Sequence, residues 1–230
     1  MQMNTQAIER RQERDDGAVE VVEVFPTIQG EGPYAGRPAV FVRLAGCNLQ
    51  CPLCDTDYTV ARRLTSADDL VKQVSILLPP SGLVVITGGE PFRQTCGRMV
   101  SLLLPIAPVQ FETNGTLYDS SMEPWWSQVS VVCSPKTGVI HPKLHPVVDS
   151  LKYILQDGKV DPTDGLPTDS LHFGVRPARP WPGFRGEIYI QPCDELDALR
   201  NKLNTEAAIQ SCLRYGYTLC LQLHKLIGLP

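Results

Sequence analysis

The sequence predicts a largely parallel α/β fold. Short runs rich in Val, Ile and Leu alternate with helical patterns from Val19 onward. Several of these runs are apolar almost without a break, as strands buried on both faces tend to be. A length of 230 residues allows one large domain or two small ones around a substantial core.

Taken in order, residues 1–18 are polar and mix both charge signs. They read as a polar N-terminal extension, a tail or short solvated helix outside a catalytic domain over residues 19–230. Strands are expected at Val21–Phe25, Ala39–Leu44, Leu83–Thr87, Val109–Glu112, Val129–Cys133, Leu151–Leu155, Glu187–Gln191 and Thr218–Gln222. A first helix follows the capping box Ser66-Ala-Asp-Asp69, with Leu70, Val71, Val74, Leu77 and Leu78 as its apolar stripe. Arg98–Leu104 is a second, shorter helix. A third starts at Asn204 or Thr205, turns Ile209, Cys212 and Leu213 inward and ends at Gly216. Asp157–Arg185, rich in Pro and Gly, interrupts the alternation as an irregular loop.

A net charge of −4 gives no sign of a general nucleic-acid binder. No apolar run approaches the roughly 20 residues of a membrane span, and the N-terminus lacks the pattern of a secretory signal. The expected compartment is the cytoplasm. There, eight cysteines read as ligands or small buried hydrophobes rather than disulfides.

Three of them stand in one loop, Gly46-Cys-Asn-Leu-Gln-Cys-Pro-Leu-Cys-Asp55, directly after a predicted strand. Thiolates of Cys47, Cys51 and Cys54 at C-x3-C-x2-C spacing can wrap a [4Fe-4S] cluster and leave one iron without a protein ligand. Such an open site on a redox centre suits inner-sphere electron delivery. Three readings compete. A zinc loop would show a fourth Cys or His at short spacing. A disulfide suits the cytoplasm poorly, and packing cysteines are seldom flanked by Pro, Asn, Gln and Asp.

The spacing is the signature of the radical S-adenosylmethionine superfamily, and the flanking residues resemble its 7-carboxy-7-deazaguanine synthase family. The likeness runs from Val21 to Pro230. It rests on Thr27-Ile-Gln-Gly-Glu-Gly32, Gly36-Arg-Pro-Ala-Val-Phe-Val-Arg43, Cys54-Asp-Thr56, Thr87-Gly-Gly-Glu-Pro91, Glu112-Thr-Asn-Gly115, Ser134-Pro-Lys136 and Leu221-Gln-Leu-His-Lys225, in the family's order. It implies an incomplete (β/α) barrel of the radical S-adenosylmethionine type, with its cluster at the C-terminal mouth of the strands. The implied reaction is radical-mediated ring contraction of 6-carboxy-5,6,7,8-tetrahydropterin to 7-carboxy-7-deazaguanine, with loss of ammonia, on the way to queuosine and related 7-deazapurines. S-adenosylmethionine and Mg²⁺ are the implied companions of the cluster, a flavodoxin the implied electron donor and a homodimer the implied assembly.

The resemblance also implies roles. Leu53, Asp55, Gly89, Glu90, Ser134, Pro135, Lys136, Gln191, Pro192, Cys193 and Asp194 would meet S-adenosylmethionine, and Thr56 would ligate Mg²⁺. Ile28, Gln29, Gly30, Glu31, Arg43, Thr87, His224 and Pro230 would meet the pterin. Each motif also has a plainer reading: Gly88-Gly-Glu-Pro91 and Ser134-Pro-Lys136 as strand-ending turns, Asp55-Thr56 as a turn or helix cap, Arg43 as an exposed strand end. Arg43 suits a carboxylate through two parallel hydrogen bonds, and Gln29 and Glu31 offer acceptors for ring N–H groups.

Cys96, Cys133, Cys193, Cys212 and Cys220 lack ligand spacing and read as packing residues, and His141, His145 and His172 as structural or exposed. The apolar end Leu226-Ile-Gly-Leu-Pro230 is expected to pack in or against the pocket. Leu223 and Leu226 depart from the Thr and the aromatic that the family usually carries around its His-Lys pair. Two other classes stay open: a glycyl-radical activase, sharing only the cysteines and Gly-Gly-Glu-Pro, and a non-catalytic metal-binding module.

Overall fold

The computed structural model describes residues 3–229. Its strands are β1 (Val19–Ile28), β2 (Pro38–Leu44), β3 (Arg63–Thr65), β4 (Leu83–Gly88), β5 (Val109–Thr113), β6 (Val129–Cys133), β7 (Ser150–Leu155), β8 (Glu187–Pro192) and β9 (Thr218–Leu219). Its α-helices are α1 (Ala67–Leu77), α2 (Gly97–Leu103), α3 (Ala198–Tyr215) and the single turn α4 (Leu223–Leu226). All nine strands form one sheet in the order β3-β1-β2-β4-β5-β6-β7-β8-β9. The run from β2 to β9 is parallel, whereas β1 lies antiparallel between β2 and β3. The sheet stays open at β3 and β9, which makes it the incomplete barrel expected.

The apolar strands are buried on two faces at once. In β4, Leu83 and Val85 pack with Ala39 on one side, while Val84 and Ile86 join the main core on the other. That double burial is why no alternation marks these strands in sequence. On α1, Ser66 accepts from the Asp69 N–H as an N-cap, and Leu70 and Val74 are fully buried. Among the described residues no helix is long and apolar enough to cross a membrane.

Four expectations change. β3 was not anticipated; it is a three-residue edge strand whose middle residue, Leu64, is exposed. α3 begins after Asp197, whose side chain accepts from Arg200 N–H, so Asn204 lies inside the helix. Asn204 is buried there because its amide serves loop groups, donating to Cys193 O and Glu195 and accepting from Asp157 N–H. Leu213 points outward, 77% exposed, while Ala208, Ser211 and Cys212 face the core. The last predicted strand stops at Leu219, where pairing with β8 ends, and Leu223 begins α4.

The largest difference is at the N-terminus. Residues 3–18 form neither a free tail nor a helix; they run extended across the protein, and Ile8 bridges Cys47. There Asn4, Gln6, Glu9 and Gln12 hydrogen-bond to other segments, while Thr5, Arg10, Glu13, Asp15 and Asp16 stay exposed.

Candidate active site

The parallel strands deliver their following loops to one end of the sheet, where a cavity of about 390 Å³ opens, within the ordinary range for small-molecule sites. The register sets its floor. Leu44 of β2 pairs with Gly88 of β4, so the cysteine loop and the Gly-Gly turn leave the sheet side by side. They are then stitched together, with Gly89 N–H donating to Leu44 O and Glu90 N–H to Gly46 O. A Cβ on Gly89 would lie 2.1 Å from Gly46 O, and Gly88 adopts φ +129°. The turn therefore needs both glycines for its own geometry, and their missing side chains leave room on the cavity floor.

One wall carries the thiols. Cys47, Cys51 and Cys54 all line the cavity and are free. Burial pushes Cys47 up to about 12 and Cys54 up to about 11, and raises Cys51 as well. Loading such a loop with metal must therefore release protons. Among the described residues no three His, Cys, Asp or Glu groups converge as they would on a single ion, and a cubane spaces its thiolates more widely than one ion spaces its ligands. Three thiols on one loop, facing a roomy cavity, are the donor set a [4Fe-4S] cluster takes.

Beside them, Ser134 and Lys136 follow β6, and Lys136 is buried rather than solvated, its ammonium donating to Ser134 O and Oγ. Burial lowers its pKa. Leu53, Asp55, Gln191 and Asp194 also reach the cavity. Glu90, Pro135, Pro192 and Cys193 stand behind the lining. Glu90 is fully buried and pins the Gly-Gly turn to the end of β5, accepting from Phe92 N–H, Thr113 Oγ and Asn114 N–H. Burial pushes it up to about 7 against those donors.

The opposite wall is ionic. Glu31 is buried and meets Lys152 of β7 through one oxygen and Gln222 through the other, at 2.9 Å. Lys152 also faces Glu112, at 3.6 Å, and Glu112 accepts from Gln29, at 3.0 Å. Burial works to raise Glu31, but the Lys152 ammonium and the Gln222 donor overcome it and hold the carboxyl below its usual range. Lys152 is raised by the same carboxylates against its own burial. Arg43 pairs with Glu23 at 2.7 Å and reaches Thr56 Oγ at 3.3 Å, so two residues with separate expected roles stand together. Thr87 and His224 complete this wall, and burial lowers the imidazole pKa. Ile28 and Gly30 lie behind it; a Cβ on Gly30 would come 2.0 Å from His224 Nδ1.

The C-terminal segment closes the rim. Lys225 bridges Asp55 at 3.3 Å and Asp194 at 3.0 Å, tying the tail to both the cysteine loop and the loop after β8. Leu229 touches the cavity, but Leu226 and Ile227 are exposed, contrary to a wholly packed tail. Pro230 lies outside the described residues. His141 stacks on Tyr118 and His145 on Trp181, away from the cavity.

Sequence reasoning missed Lys152, although a lone Lys inside the apolar run Ser150-Leu-Lys-Tyr-Ile-Leu155 is a signal: a charge in a buried strand needs a partner. It also treated Glu112 and Gln222 only as letters of motifs. Both are direct members of the ionic wall.

No family model matches the chain. It is 41% identical over 223 residues to the 7-carboxy-7-deazaguanine synthase of Rhodospirillum rubrum, covering 93% of each chain. It is 36% identical over 227 residues to that of Rickettsia prowazekii, covering 94% of this chain and 90% of the relative. Among solved structures it is similar to QueE from Escherichia coli, with a TM-score of 0.68 at 22% identity, over 90% of this chain and 95% of that one.

Proposed function

This chain belongs to the 7-carboxy-7-deazaguanine synthase family, and from that membership we propose that its cavity contracts the ring of 6-carboxy-5,6,7,8-tetrahydropterin to give 7-carboxy-7-deazaguanine, with loss of ammonia, in the 7-deazapurine (queuosine) pathway. The observation that carries the reading is the meeting, in one cavity, of the three-thiol loop and the network of buried Glu31 and Lys152 with half-buried Glu112.

Cys47, Cys51 and Cys54 would hold the [4Fe-4S] cluster, and Gly89, Ser134 and Lys136, which line the same cavity, would meet S-adenosylmethionine. When bound, the pair supplies one-electron chemistry able to abstract hydrogen from an unactivated carbon, with the electron drawn from an outside donor such as a flavodoxin. The chain's own residues then bind and orient. Lys152 keeps Glu31 ionised although buried, so a proton-free acceptor faces the cavity where pterin ring N–H groups would lie. Arg43 offers a guanidinium to the substrate carboxylate. Thr56 Oγ, with Asp55 Oδ1 at 3.5 Å, gives Mg²⁺ the hard oxygen donors it prefers. His224, kept neutral by burial, can donate at one ring nitrogen and accept at the other. The reading extends to a homodimer.

The test is anaerobic turnover with the carboxytetrahydropterin, S-adenosylmethionine and dithionite, followed by mass detection. The expected product is the carboxydeazaguanine. Cleavage of S-adenosylmethionine without it would point to a different radical enzyme. Chelating Mg²⁺, or Thr56→Ala, should depress turnover while iron content and S-adenosylmethionine binding persist.

A further inference from the structure

Nothing in that chemistry uses residues 3–16, yet they are tied to the segments around the site by hydrogen bonds and ion pairs. The segment lies across the cysteine loop and meets it through Asn4, Gln6, Ile8 and Glu9. Asn4 N–H donates to Pro52 O at 2.9 Å and Glu9 N–H to Cys47 O at 2.7 Å. The Asn4 amide donates to Cys51 O at 3.1 Å and to the Tyr58 hydroxyl at 3.3 Å. Gln6 behaves as a strand in miniature: its Nε2 donates to Thr56 O at 2.9 Å, and its Oε1 accepts from Tyr58 N–H at 2.7 Å. Its own carbonyl accepts from Gln50 Nε2 at 2.7 Å.

The other half of the segment is anchored away from the loop. Glu9 pairs with Arg62 at 2.5 Å and with Arg93 at 3.4 Å, and Gln12 N–H donates to Arg93 O at 2.7 Å. Arg93 is itself buried and donates to Ala45 O at 2.9 Å, just ahead of Cys47. The loop is thus held from both ends. Its own internal order is modest: among the described residues Gly46 N–H donates to Tyr58 O and Cys54 N–H to Cys51 O, Leu53 N–H and Asn48 reach out to Leu171 and Thr116, and no helix or paired strand lies between Gly46 and Arg62.

We propose that residues 3–16 are a positioning strap, with Asn4 and Gln6 fixing the backbone of the cysteine loop so that the three thiols are presented at a set spacing and shielded on their outer side. A loop with few internal bonds must otherwise settle its geometry from a broad ensemble, and ordering it is costly. The strap deepens the reading of the loop as cluster-bearing and rests on it only for the consequence on the cluster. The geometric claim concerns the metal-free protein as well.

The test uses the full chain carrying Asn4→Ala and Gln6→Ala together, with Glu9→Gln as a milder second variant. In metal-free protein, alkylation by iodoacetamide is followed at each cysteine by mass spectrometry. Cys47, Cys51 and Cys54 should react faster by on the order of tenfold or more, since the two side chains give up four hydrogen bonds to the loop, with Cys96 and Cys133 unchanged. In reconstituted protein the cluster absorption should bleach faster in air by a similar factor. Equal acceleration at all buried cysteines would mean that the strap gives only general stability, and no change at the three loop thiols would remove it altogether; either overturns the proposal. Selective thiol acceleration in a protein that takes up no iron would leave the strap standing and defeat the cluster reading instead.

Discussion

The two walls of the cavity are built on opposite principles. The thiol wall comes from nine consecutive residues, Gly46–Cys54, and its reactive groups are neutral: burial keeps all three thiols protonated until a metal takes them. The ionic wall comes from the turn after β1, from β5 and β7 and from the C-terminal segment, and its central pair, Glu31 and Lys152, is charged although buried. Desolvation acts on both. It prevails at the thiols, where the Lys136 charge offsets it only in part at Cys51 and Cys54, and it yields where Lys152 stands among carboxylates. Burial thus leaves one wall with neutral thiols and the other with a carboxylate held ionised.

Breaking the thiol wall should have the largest effect. Cys47→Ala, Cys51→Ala or Cys54→Ala should each abolish stable iron binding and turnover, whereas Cys212→Ala on α3 should leave both intact. Iron content and charge-transfer absorption after anaerobic reconstitution decide it; full iron in all three loop variants would refute the assignment.

Breaking the ionic wall should cost stability rather than iron. Lys152→Met strands Glu31 and Glu112 without their cation, and loss of one partner of a buried pair costs about 3–5 kcal/mol. The pH profile also changes sign. In the native protein Glu31 lies below its ordinary value of 4.5, so its contribution is present above that value and is lost as pH falls through the folded one. Without Lys152, burial and the Asp55 charge raise the carboxyl against the Gln222 donor alone, so stability should instead fall as pH climbs through 4.5. Urea midpoints across pH would show whether the slope reverses.

A smaller effect sharpens where the two walls part. Gly30→Ala drives a Cβ toward His224, and displacing a binding group by about 1 Å can cost up to about a hundredfold in turnover. Iron uptake should be untouched, since no part of the thiol wall moves. The smallest is a titration: the His224 ring should protonate below its ordinary value of 6.5, read from its ring-proton chemical shifts. A midpoint above 6.5 would mean that the neighbouring carboxylates outweigh its burial.

The difference between the walls is also a difference in legibility. The cysteine loop, the Gly-Gly turn and Ser134–Lys136 are contiguous strings whose spacing carries their chemistry, so they can be read before any fold is known. Lys152 cannot be read that way, because its significance depends on Glu31 and Glu112, 121 and 40 positions away. Residues 3–16 mislead for a related reason. Polar side chains that satisfy another segment's backbone have the same composition as side chains that satisfy water.

By itself, then, the sequence determined the parallel α/β class, the strand set apart from β3, the capped first helix and the identity of the thiol loop, because each rests on local periodicity or spacing. Only the tertiary structure decided that Lys152 is the counter-charge of Glu31 and Glu112, that Asn204 belongs inside α3, and that the N-terminal segment lies hydrogen-bonded across the cysteine loop. Those choices turn on which distant groups share a low-dielectric space or complete one another's hydrogen bonds, and burial is a property of the folded chain rather than of any stretch of it.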